Sequence, residues 1–152
     1  MDHQNGGAVT ELKTAQEEYP NSPQIRYYYG RVLYTVGRYQ KAADQFLACL
    51  KLRPNYPGAL GNLGLCYEAL QNYPKAVETY KAAIHYEKAK QGPEDAEPFA
   101  YYAVLLAQLG QDDDALAVPR EALGASAKSF RTNYERLEVR GPAGGARILI
   151  VA

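Results

Sequence analysis

The sequence is poor in the side chains that usually carry catalysis. It has two histidines, two cysteines, one methionine and no tryptophan in 152 residues. His3 lies near the start of the chain. His85 stands on an expected helix with Glu78, Lys81 and Lys88 nearby in sequence, and reads as a lone surface histidine. Cys49 and Cys66 fall at expected buried helix positions with no metal-ligand spacing, and two isolated thiols make a poor disulfide framework. They read as small core residues. No phosphate-binding glycine loop, nucleophile elbow or metal-ligand pair occurs. The run Asp112-Asp113-Asp114 lacks the alternating ligands and terminal Glu of a calcium loop, and suits the positive end of a helix instead. These absences argue against an enzyme, a bound metal and a cofactor.

Charge of one sign is missing too. Seventeen Lys and Arg balance seventeen Asp and Glu, so no strong field draws the chain to nucleic acid or to anionic lipid. No run of about 18 apolar residues exists, which excludes a membrane-spanning helix. Residues 1–7 lack the basic and apolar regions of a secretory signal, which favours the cytoplasm.

What the chain does have is a 34-residue unit written almost twice between Pro20 and Ala83. Gly30 recurs as Gly64, Tyr39 as Tyr73, Ala42 as Ala76, and Phe46 as Tyr80. Pro20-Asn21-Ser22-Pro23 reappears as Pro54-Asn55-Tyr56-Pro57. A fixed period of this length implies stacked helical hairpins, each unable to bury its apolar face alone. Asn21, Ser22 and Pro23 start a helix that runs to about Val36, with Ile25, Tyr29, Val32 and Leu33 inward; Gly37 closes it. A second helix covers about 39–52, with Ala42, Phe46, Cys49 and Leu50 inward, and Pro54 stops it. The next pair is expected at about 56–70 and from Tyr73 onward.

Flanking segments follow the same logic. Ala8, Leu12 and Ala15 lie 34 residues before Ala42, Phe46 and Cys49, so residues 7–20 read as the second half of a preceding unit. Such a half-unit is either part of a longer array or a cap. The first unit is then 21–54 and the second 55–93. Between the second and third units the spacing grows to 39 residues (Gly64 to Ala103, Ala76 to Ala115), which predicts a longer second helix in the second unit. The third unit, 94–127, opens with a helix at about 96–109 carrying Phe99, Tyr102, Ala103 and Leu106 inward. Pro119 stands where Phe46 and Tyr80 stood, and predicts a kink or break in its second helix. Residues 128–140 are expected to form a capping helix with Phe130, Tyr134 and Leu137 on one face. Residues 141–152 form a glycine-rich, then apolar tail.

Taken together, these positions resemble the tetratricopeptide repeat, whose pattern is Trp-x2-Leu-Gly-x2-Tyr, then Ala-x3-Phe, then Pro. The second unit carries it as Leu60, Leu63, Gly64, Tyr67, Ala76 and Tyr80, with Lys88 in place of the last proline. The first has Tyr29, Gly30, Leu33, Ala42, Phe46 and Pro54, but Arg26 where the large aromatic usually lies. The third has Phe99, Tyr102, Ala103, Leu106 and Ala115, and departs at Pro119 and Ala127. The resemblance spans about residues 8–127. It implies an all-α fold, a right-handed superhelical solenoid of antiparallel helix hairpins with about seven to eight helices in this chain.

The resemblance also implies a function: a scaffold that binds a protein or peptide in a concave groove lined by the first helix of each unit. Positions two, five, nine and twelve of those helices look into the groove. They hold Gln24, Tyr27, Arg31 and Tyr34 in the first unit, and Gly58, Gly61, Leu65 and Glu68 in the second. In the third they hold Glu97, Ala100, Val104 and Ala107, and Asn62 and Tyr101 lie at the groove edge. Tyr and Arg suit such a role because they dominate interface hot spots, and Gly58 and Gly61 would leave room for a ligand. The plainer alternative is that Tyr27 and Tyr34 only cover helix surface or contact the preceding half-unit. The family's carboxylate clamp would need Lys and Asn where Tyr27 and Arg31 stand, and basic residues at Glu97 and Tyr101. Only Asn62 fits, so a receptor for acidic chaperone tails is not expected. Two other roles remain open: a regulatory segment of a larger enzyme, and a self-associating module forming a homodimer through its end faces and the Ile148–Val151 tail.

Overall fold

The computed structural model describes residues 3–90, 97–111, 138–140 and 147–149. Six helices are described: α1 (His3–Glu18), α2 (Pro23–Thr35), α3 (Tyr39–Leu52), α4 (Ala59–Ala69), α5 (Tyr73–Ala89) and α6 (Glu97–Gln108). The positions expected around Pro119 and most of the capping helix lie outside the described residues. The last three residues of that expected helix are extended instead. Glu138–Arg140 (β1) pairs antiparallel with Arg147–Leu149 (β2), with Val139 opposite Ile148. From His3 to Gln111 the described residues form helices and the turns that join them.

Local chemistry explains the helix boundaries. Ser22 caps α2 by accepting the Ile25 amide on its Oγ at 3.3 Å, and Pro23 follows in the first turn, where a missing N–H costs nothing. Asn72 does the same for α5, its Oδ1 accepting the Lys75 amide at 3.4 Å. The first helix of each unit ends in the same two-bond turn. Gly37 N–H donates to the Tyr34 carbonyl and Arg38 N–H to Leu33; Gln71 and Asn72 repeat this with Glu68 and Tyr67, and Gly110 and Gln111 with Ala107 and Leu106. The residue at the bend is left-handed in all three, with φ of +80° at Gly37, +59° at Gln71 and +76° at Gly110. Glycine takes that conformation freely, whereas Gln71 holds it against the crowding of its Cβ.

One boundary departs from expectation. The helix expected from about residue 56 begins at Ala59, because Tyr56 has no short oxygen side chain to cap a helix as Ser22 does. Gly58 instead turns the chain in the left-handed region (φ +78°) just ahead of α4. In the other direction, α5 has 17 residues to α3's 14.

The chain divides by its internal contacts into two compact units, Met1–Thr79 and Tyr80–Ala152. In the first, α1 packs on α2, α2 on α3 and α3 on α4, and α2 also touches α4. Tyr29, Leu33, Ala42, Ala43, Phe46, Leu63 and Cys66 form its core, with Val9 and Leu12 of α1 packed against them. Gly30 is small for a reason: a Cβ there would lie 2.8 Å from the Phe46 ring, which is fully buried. Cys49 and Cys66 are also fully buried as free thiols, and desolvation pushes them up to about 11 and about 12. Arg26, at the aromatic's usual place, donates from Nη1 to Gln45 Oε1 and from Nη2 to the Pro20 carbonyl. It thus ties the start of α2 to α3 by hydrogen bonds instead of by ring packing. In the second unit, Tyr80, Phe99, Ala103, Leu105 and Leu106 are buried, and the Tyr80 and Tyr101 rings lie 6.2 Å apart.

Candidate functional site

Gln24, Tyr27, Arg31 and Tyr34 are spaced three or four residues apart, which sets them on one face of α2. Gln24 and Arg31 on that face are exposed, while Tyr27 and Tyr34 are half-buried. The neighbouring α4 contributes Asn62, Leu65 and Glu68, all half-buried. Asn62 meets Tyr27 early in the two helices, and Glu68 lies near Tyr34 late in them.

Tyr27 is the centre of the early end. Its ring lies 5.0 Å from that of Tyr56, 5.4 Å from Tyr28 and 5.9 Å from Phe46. The Arg31 guanidinium sits over its face at 5.8 Å, a cation–π arrangement. Asn62 Nδ2 donates to the Tyr27 hydroxyl at 3.4 Å and to the Gly58 carbonyl at 2.8 Å. Tyr27, Arg31, Gly58 and Asn62 are therefore brought together as one cluster joining two units of the repeat.

The late end is built on Tyr34, whose ring lies 5.2 Å from Tyr39. Burial raises the pKa of the Tyr34 phenol, and the nearby Tyr39, Cys66 and Glu68 raise it further. Glu68 thus gives this end a negative neighbour, opposite in sign to Arg31. Lys75 Nζ lies 5.5 Å over the Tyr67 ring, and burial chiefly raises the pKa of the Tyr67 phenol.

The two glycines expected to leave room do not do so in the expected way. A Cβ on Gly58 would stand 2.9 Å from the Tyr27 hydroxyl, so its smallness serves the tyrosine and the left-handed turn. Gly61 is buried within the chain itself. Tyr101 and Val104 lie on α6 in the second unit and are half-buried, while Ala100 and Ala107 of the same helix are buried and Glu97 is exposed. Tyr56 was missed by counting helix positions. It replaces Ser22 in the loop ahead of α4, and only its 34-residue offset from that cap marks it. Among the described residues no group of three His, Cys, Asp or Glu side chains is placed to hold a metal ion, and no helix is long and apolar enough to cross a membrane.

Three overlapping stretches of the chain, residues 3–57, 34–96 and 62–130, match the family model described as tetratricopeptide repeat. A search of the curated proteins found no match. Among solved structures, the MamA protein superimposes with a TM-score of 0.71 at 21% identity, over 89% of this chain and 70% of its own. TTC0263, a thermophilic TPR protein in Thermus thermophilus, gives 0.68 at 21% identity, over 84% and 70%. YrrB, described as a TPR protein with an unusual peptide-binding site, gives 0.63 at 20% identity, over 79% and 59%. At these identities the likeness is one of fold.

Proposed function

The chain belongs to the tetratricopeptide repeat family, and from that premise we propose that it is a non-enzymatic protein-interaction scaffold. Its ligand, a peptide or an extended segment of a partner protein, lies along the face made by α2 and α4. The observation that carries this reading is the Tyr27 cluster. Arg31 and Asn62, from consecutive units, meet on one tyrosine, and Arg31 remains exposed beside it. Aromatic rings and a guanidinium held in place by their own neighbours lose little freedom on binding, which is what makes such residues dominate interfaces. The neighbour YrrB, described as carrying a peptide-binding site, supports a peptide as a class of ligand for this fold.

The test compares partners captured by the parent chain, by a Tyr34→Ala, Arg31→Glu variant, and by a Leu47→Ser variant on the exposed side of α3. All three are first checked for unchanged helix content. A partner retained by the Leu47 variant and lost by the double variant supports the α2–α4 face. The reverse pattern moves the site to α3.

A further inference from the structure

We infer that the α2–α4 face selects an internal peptide segment carrying an acidic side chain, whose carboxylate docks on the Arg31 guanidinium. The inference rests on the proposed peptide-binding role of this face and adds the ligand's chemistry.

Three observations carry it. First, among the described residues no carboxylate pairs with the Arg31 guanidinium, and its contact is the face of the Tyr27 ring. Helix α2 carries Arg26 and Arg31 and no acidic residue, and Arg26 is already engaged by Gln45 and the Pro20 carbonyl. The one charged residue of α4, Glu68, stands at the far end of that helix, beside Tyr34. A guanidinium stacked on a ring keeps its N–H edges for a planar anion, and a carboxylate matches them with two parallel hydrogen bonds.

Second, Asn62 has an acceptor to spare. Its Nδ2 donates to Tyr27 and to the Gly58 carbonyl, and among the described residues no donor meets its Oδ1. An inorganic anion brings no N–H to this atom. A peptide backbone does, one residue at a time. Third, Tyr27 and Tyr34 flank Arg31 on the same helix face, each about one turn away, roughly 5 Å. A ligand that covers both rings must continue on both sides of the carboxylate. That geometry favours an acidic side chain within a segment over a free C-terminus.

The experiment is an array of decapeptides of mixed sequence, blocked at both ends, with one central position fixed in turn as Glu, Gln or Lys. A second set has neutral side chains and a free C-terminal carboxylate. The parent chain is expected to retain the Glu set about tenfold better than the Gln set, equivalent to about 1.4 kcal/mol. Arg31→Gln should erase that preference, and Arg31→Glu should turn it toward Lys, while a Tyr34→Ala variant should weaken all blocked peptides alike. Equal retention of Glu and Gln sets by the parent overturns the inference. If Tyr34→Ala still weakens both, the peptide-binding face itself survives. Best retention of the free-carboxylate set, lost in Arg31→Gln, assigns the cation to a chain terminus and also overturns the inference. Retention of no set, or retention unaffected by any of these variants, removes the underlying reading as well.

Discussion

Replacing Gly30 by alanine is a sharp test of how the first hairpin closes. Taken alone, the change should help, since alanine is favoured over glycine inside a helix by about 1 kcal/mol. The structure predicts the opposite. The new Cβ would lie 2.8, 2.9 and 3.1 Å from three atoms of the Phe46 ring. Carbon atoms rest at about 3.5–4.0 Å, so the ring would have to retreat by roughly 0.7 Å. Phe46 has no exposed surface, and the Tyr27 ring lies 5.9 Å from its own, so retreat displaces the core and not solvent. Overpacking of this kind costs about 1–3 kcal/mol. Set against the gain in helix propensity, Gly30→Ala should destabilise the first unit by about 1 kcal/mol, within a range of about 0–2. Urea denaturation followed by circular dichroism reads this as a lower midpoint. Trimming the ring with Phe46→Leu should make the second substitution milder, with a coupling of about 1 kcal/mol between the two. A Gly30→Ala variant more stable than the parent, or strict additivity in the double variant, would refute the packing argument.

The remaining predictions concern the turns and the thiols. Gln71→Gly should stabilise the chain by about 0.5–1 kcal/mol, because it relieves a left-handed Cβ at the position where Gly37 and Gly110 need no relief. A urea midpoint at or below the parent's would contradict this. Gly58→Ala should cost about 1–2 kcal/mol in the same assay, from its φ of +78° and its close approach to the Tyr27 hydroxyl. Cys49 and Cys66, pushed up to about 11 and about 12 by burial, should resist alkylation at pH 8 in the native state and react fully in urea. Because their folded values lie above the unfolded one, their stabilising contribution is complete below about pH 8.5 and is lost as pH rises toward 11–12. The raised phenols of Tyr34, Tyr56 and Tyr67 act in the same direction. Thermal stability should therefore be flat from about pH 7 to 8 and fall in the alkaline range; a rise there would reverse the sign of the argument.

Much of the fold is legible in the sequence because its determinants are local and repeat. Ser22-Pro23 and Gly37 mark the two ends of α2, and the 34-residue offset carries them to the next unit. The offset also finds Gln71, which adopts the left-handed turn without being glycine. It fails at the start of α4, where Tyr56 replaces the capping serine and the chain turns once more through Gly58. The site is legible as a face but not as a cluster. Helix spacing gathers Gln24, Tyr27, Arg31 and Tyr34, whereas the bonds from Asn62 to Tyr27 and Gly58 depend on how two units meet. Gly58 shows the limit most clearly. Its small size looked like space for a ligand, and the structure fills that space with the chain's own tyrosine hydroxyl.

Amide hydrogen exchange on the chain, with and without its captured partner or its best-retained peptide, reports directly whether a ligand covers α2 and α4. Added protection is expected in residues 24–34 and 58–68, the face of α2 and α4, with little change at Leu47 or Lys51 on the exposed side of α3. Protection centred on α3, with α2 and α4 unchanged, would contradict a site on that face.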